Sequence, residues 1–204
     1  MRGIRSVGAV LGWLSVLHLA VGARRATLGT GAAAAGTAQY LIASFPGSRQ
    51  VNYAKLPDTT WLPLVESQGV TSPEALAIDP SNMRLFVADP SVGLVYWYHL
   101  QLLEDGRLIS DGVQRLASPS VAARGLAVDS LGNLYISGQL RGASSLHGVF
   151  RQDAAAFAVP IPPPPTAVWT SANANLTGRG AQLVVPGGVA VDSFHVYWGN
   201  SMRA

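Results

Sequence analysis

Apolar positions along this chain fall into short runs rather than a helical stripe. Leu76-Ala77-Ile78, Leu126-Ala127-Val128 and Val189-Ala190-Val191 are small or β-branched, and each is followed at once by an aspartate: Asp79, Asp129 and Asp192. A run of that kind suits a strand buried on both faces. After a few polar residues a second run begins: Leu85-Phe86-Val87-Ala88, Leu134-Tyr135-Ile136 and Val196-Tyr197-Trp198. The unit is therefore strand, acidic turn, strand. Each aspartate can bond the backbone two residues on and start the turn. Gly132-Asn133 tolerates the positive φ that tight hairpin turns require. Phe86, Tyr135 and Tyr197 place one aromatic in each second strand, able to cover the sheet face. A lone hairpin is marginal in water, so each unit needs neighbours.

Asp79 and Asp129 lie 50 residues apart, and Asp129 and Asp192 lie 63 apart. Repeats of about 40–50 residues built from four short strands are the signature of propeller blades. Further strands follow the first copy at residues 94–100 and, beyond the turn Glu104-Asp105-Gly106-Arg107, from 108 to 116. An upstream partial copy has strands at 40–44, 50–56 and 61–65, with only a Gly/Ala-rich leader where its inner strand should be. The blades predicted are 39–68, 69–118, 119–180 and an incomplete one at 181–204. The fold expected is all-β, a partial β-propeller forming an open arc of about three four-stranded blades, whereas closed propellers have roughly four to eight. An arc leaves strand edges and a sheet face uncovered at each end. It reads as a truncated product or as a half that pairs with another propeller segment.

The blade phrase resembles that of the NHL/YWTD-type six-bladed propellers, whose blades run roughly as P-x-G-[IL]-A-[VI]-D, then G-x-[LI]-Y-[VW]-[AT]-D. Pro73-Glu74-Ala75-Leu76-Ala77-Ile78-Asp79 and Pro186-Gly187-Gly188-Val189-Ala190-Val191-Asp192 carry the first part. The YWTD tetrapeptide is represented only by Phe86-Val87-Ala88-Asp89, Tyr135-Ile136-Ser137-Gly138 and Tyr197-Trp198-Gly199-Asn200. The resemblance spans residues 39–204 and is specific for the superfold rather than for one family.

Residues 1–23 have the layout of a signal peptide: Arg2 and Arg5, an apolar core at 7–21, and Val21-Gly22-Ala23 as a small-residue cleavage site. The apolar core is short for a helical membrane span, which needs about 20 residues. The expected product is secreted or lumenal and begins near Arg24, after an N-terminal signal helix. Retention of that segment as an anchor is the alternative, and the only route to a membrane. Residues 24–38 form the leader, rich in Gly, Ala and Thr, with little to bury. Without Arg2 and Arg5 the formal charge falls from +3 to +1, and no Lys/Arg stripe is present, so no nucleic-acid partner is expected. There are no cysteines, which removes disulfides, thiolate chemistry and Cys-based zinc sites. Asn175-Leu176-Thr177 is a glycosylation sequon, which makes Asn175 the candidate glycan acceptor. The run 160–165, five of whose six residues are proline, holds a polyproline II shape and reads as a rim loop housing the extra length of the third blade.

Propellers place ligands at the mouth of the central channel, where inner strands begin. Resemblance to calcium-dependent lactonase and esterase propellers implies Glu, Asn and Asp at those starts; the equivalent residues here are Glu74, Arg124 and Gly187. Only Glu74 offers an oxygen ligand, and calcium takes six to eight. An ion pair of Glu74 with Arg124 and no calcium is the expectation, and no cofactor is implied. Asp79, Asp129 and Asp192 recur at one repeat position, which argues for turn-making rather than catalysis. His99, His147 and His195 occupy different positions and share no face. The reading that remains is a module binding protein or carbohydrate through its rim loops or channel mouth, with Trp97, Tyr98 and Trp169 as candidate contacts. A calcium-dependent propeller hydrolase is the alternative.

Overall fold

The computed structural model describes residues 17–21, 38–58, 60–66, 69–142, 146–171 and 185–200, with the backbone alone described for 17–21. Asn175 and the leader at 24–37 lie outside the described residues. Among the described residues the regular secondary structure is strand, apart from two short 3-10 turns at Pro46–Ser48 and Ala154–Ala158.

Four antiparallel sheets follow one another along the chain. The first is β1 (Leu17–Val21), β2 (Ala38–Phe45), β3 (Gln50–Leu56) and β4 (Leu62–Val65), in that order. The second is β5 (Leu76–Asp79), β6 (Arg84–Asp89) and β7 (Leu94–Leu102), closed on the outside by β9 (Arg115–Ser118). Between them β8 (Leu108–Ser110) pairs with the far end of β7. The stretch expected as one outer strand from 108 to 116 is thus two. The β7–β8 hairpin reaches over to the first sheet, where Tyr40 Oη donates to Gly106 O at 2.9 Å and Leu108 N donates to Tyr53 Oη at 3.2 Å. The third sheet is β10 (Val121–Val128), β11 (Leu134–Leu140), β12 (Leu146–Gln152) and β13 (Thr166–Thr170). The last is a two-stranded pair, β14 (Pro186–Val191) with β15 (Val196–Asn200). These sheets are blades, and the chain is an open propeller arc.

One expectation is corrected at the amino end. Leu17–Val21, the end of the segment read as a signal helix, is a strand filling the inner position of the first blade. It pairs from Leu17 against Ile42 to Val21 against Ala38. The physical reason is the edge of β2: its N–H and C=O groups need partners, and an apolar, extended pentapeptide supplies them.

Alternation along β6 shows why the middle blades read as continuous apolar runs. Leu85 and Val87 pack toward the first blade with Tyr40, Ile42, Tyr53 and Leu100. Phe86 and Ala88 point the other way, into a cluster with Leu134, Ile136, Phe150 and Phe157. Every residue of β6 from Leu85 to Asp89 is buried, because a blade lies on each side. In β15 only Val196 is even partly covered, and the other four residues are exposed. Period two is still present there, but nothing covers the second face among the described residues.

Candidate functional site

The three inner-strand starts, expected to line a channel mouth, differ in what they present. Glu74 stands just before β5, where its N–H donates to Ala88 O at 3.0 Å. Its carbonyl accepts from Ser44 Oγ of the preceding blade at 2.7 Å. Arg124 is exposed at a bulge in β10 between Ala123 and Gly125. Gly187 is buried, and its carbonyl accepts from Ser137 Oγ of the third blade. Gly187 therefore presents no donor or charge to a ligand, whereas Glu74 and Arg124 do.

Burial pushes the Glu74 carboxyl above the usual range, the Arg124 charge pulls it back, and the nearby Asp89 carboxylate pushes it up again. The net shift is upward, so desolvation outweighs the arginine. Asp89 is itself buried and accepts from Thr71 N at 2.6 Å, Ser72 N at 3.2 Å and Ser91 Oγ at 2.5 Å. It ties down the loop segment that leads into β5. The arrangement sets a carboxylate and a guanidinium near enough to influence one another. As a donor set for calcium it offers one carboxylate beside a fixed cation, which does not fit a hard ion seeking many oxygens.

Ser44, Asp89 and Ser137 were not singled out from the sequence. Their signal is a polar side chain closing an otherwise apolar second strand; Ser44 and Ser137 each bridge to the next inner strand. Gly125 permits one such bridge. A Cβ there would lie 2.7 Å from Ser137 Oγ and 2.8 Å from both Gly187 O and Val189 N.

The repeated aspartates sit at the opposite ends of the inner strands and are hydrogen-bonded into their turns. Asp79 Oδ1 accepts from Ser81 N and Asn82 N, both at 3.1 Å, and Oδ2 from Asn82 Nδ2 at 2.7 Å. Asp129 Oδ1 accepts from Leu131 N and Asn133 N at 2.9 Å, and Oδ2 from Asn133 Nδ2. Asp192 Oδ1 accepts from Phe194 N and His195 N at 2.7 Å, and Oδ2 from Tyr197 Oη. Burial pushes the Asp129 carboxyl up, but hydrogen bonds from the Asn133 side chain and backbone outweigh it and hold the group below its ordinary range. The backbone N–H groups of Phe194 and His195, with the Tyr197 hydroxyl, do the same for Asp192.

Of the aromatic contacts expected, Tyr98 is buried: its hydroxyl accepts from Gln114 Nε2 at 3.2 Å. That hydroxyl floors a recess of about 610 Å³ between the first two blades, walled by Leu64, Val65 and Ile109. Trp97 is half-buried under the guanidinium groups of Arg115, 4.6 Å from its centroid, and Arg84, at 5.4 Å. Trp169 stacks on Trp198 at 6.4 Å, bridging the third and last blades. Among the described residues the exposed aromatics are instead Trp61, Phe194, Tyr197 and Trp198.

Strand order and inter-blade packing define a β-propeller-like class. The chain is similar to one in a crystal structure of a nidogen/laminin complex, with a TM-score of 0.51 and 14% identity over 79% of this chain and 67% of that one. At that identity the likeness concerns the fold. No family model and no curated protein matches the chain.

Proposed function

We propose that this protein is an interaction module of the NHL/YWTD propeller type that works in the secretory pathway or outside the cell. The observation that carries the reading is the exposure of Phe194 in the β14–β15 turn and of Tyr197 on β15, with Trp198 half covered by its stack on Trp169. Exposed aromatic surface of this kind marks a binding face. The similarity to a chain from a complex of two proteins favours a protein over a carbohydrate as the partner. Another propeller segment is the protein partner this reading favours.

The channel mouth supplies the second contact region, through Glu74 and Arg124. A hydrolase of the calcium-propeller group is the weaker reading because those two residues and Gly187 do not make an oxygen-rich cage. Secretion enters the proposal through residues 1–23 and has a structural consequence. Cleavage near Arg24 would strip β1 from the first blade and leave one edge of β2 open, its other edge still paired with β3.

The test is recovery of a partner from secretory-pathway extract or medium by the full chain, repeated with Tyr197→Ala and Trp198→Ala. A partner lost in both variants supports the module. Calcium binding in calorimetry that Glu74→Gln abolishes would revive the hydrolase. Mass spectrometry of the amino terminus separates a cleaved chain from an anchored one.

A further inference from the structure

The turns after β10 and β14 carry a repeated tripeptide, Asp129-Ser130-Leu131 and Asp192-Ser193-Phe194. In both, the third residue's N–H donates to the aspartate Oδ1, and its side chain stands out in solvent: Leu131 is 77% and Phe194 88% exposed. The fold does not ask for an apolar group there. In the second blade the same bond to Asp79 is made by Ser81 N, a polar residue in the same place. Two adjacent blades thus expose large apolar side chains at a position where serine satisfies the turn.

Between these tips lies a cleft of about 150 Å³, lined by Asp129, Leu131, Tyr135, Asp192, Phe194 and His195 among others. That is below the roughly 300–1,000 Å³ of small-molecule sites, so it suits a single side chain. Leu131, Phe194 and Val196 form the apolar part of its lining, Ser130, Ser193, Tyr135 and His195 a polar part, and the carboxylates of Asp129 and Asp192 its negative charge. No lysine or arginine lines it, and His195 Nδ1 stands 3.6 Å from Asp192 Oδ1. Charge complementarity selects the occupant.

We infer that this cleft receives an arginine or lysine side chain of a partner protein, its methylene stem between Leu131 and Phe194 and its charge at Asp129 and Asp192. Long basic side chains combine an apolar stem with a charged head, which matches walls and floor together. The inference deepens the module reading and rests on it, but the two fail separately. A partner that binds unchanged to Phe194→Ala and Asp192→Asn leaves the module standing and removes the cleft from it.

The test is an amide-shift titration of the nitrogen-15-labelled full chain with arginine amide, and with citrulline amide as an uncharged near-isostere. Arginine amide is expected to move the amides of Leu131, Phe194 and His195, and citrulline amide to leave them in place. Asp192→Asn keeps an acceptor for the turn and is expected to weaken the response on the order of tenfold, the loss of a charge-assisted bond. Phe194→Ala, which leaves both carboxylates, is expected to weaken it as well. Equal responses to both amides, no response to either, or full binding by both variants would overturn the inference. So would shifts produced by calcium chloride but not by arginine amide, or shifts that follow protein dilution alone, which would assign the patch to a metal or to a second copy.

Discussion

Replacing Phe86 by alanine tests whether the arc is held by face-to-face packing of blades. Phe86 is fully buried in β6, its ring centroid 5.0 Å from that of Phe157, in the cluster that joins the second blade to the third. Removing a buried phenylalanine costs about 3–5 kcal/mol through lost transfer energy and the cavity left behind. A domain has about 5–15 kcal/mol in total, so about a fifth or more of the stability is at stake. For a chain of this size each kcal/mol moves the midpoint by about 2–4 °C, which predicts a fall of about 6–20 °C. The control is Ile161→Ala, an 81% exposed residue of the proline-rich loop, expected to change stability by less than about 0.5 kcal/mol. Thermal and urea unfolding followed by tryptophan fluorescence and circular dichroism read both variants. Neighbour-to-neighbour stabilisation also predicts that Phe86→Ala broadens or splits the transition, since repeats are stabilised mainly by the repeats beside them. Equal, small effects of the two substitutions would refute the packing argument.

Three further outcomes are expected. Glu74→Gln raises stability at neutral pH, because the folded carboxyl sits above its usual range and its ionised form is disfavoured in the fold; wild type gains stability as pH falls through that raised value, so the advantage should vanish in acid-range melts. Asp129→Ala loses about 2 kcal/mol by orphaning three donors, and Asp129→Asn less, since one amide oxygen can still serve Leu131 N and Asn133 N; urea midpoints distinguish them. Gly125→Ala presses a methyl group against the Gly187 and Val189 backbone and costs about 1–3 kcal/mol; hydrogen exchange should show faster amides at Val189 and Ala190 than in wild type.

How much of this was written in the sequence depends on whether the interaction was local. The paired runs at 76–78 and 85–88 specify a hairpin, and the aspartate between them specifies its turn, because both effects act within a few residues. The recurrence of that unit specifies blades, since a hairpin must find neighbours. Tertiary structure alone decided the rest. Leu17–Val21 belongs to the first blade because β2 offers it an open edge, and its own composition suits an exported helix equally well. Tyr98 is buried and Phe194 exposed because a blade covers one and none of the described residues covers the other; as side chains, both are simply aromatic. Glu74 and Arg124 share a place in the repeat, but the balance that leaves Glu74 raised needed its burial and the approach of Asp89. Ser44 and Ser137 became visible as bridges only when the next blade's carbonyls stood opposite them. Local chemistry fixed the strands and turns, whereas exposure and charge balance followed from which blade lies beside which.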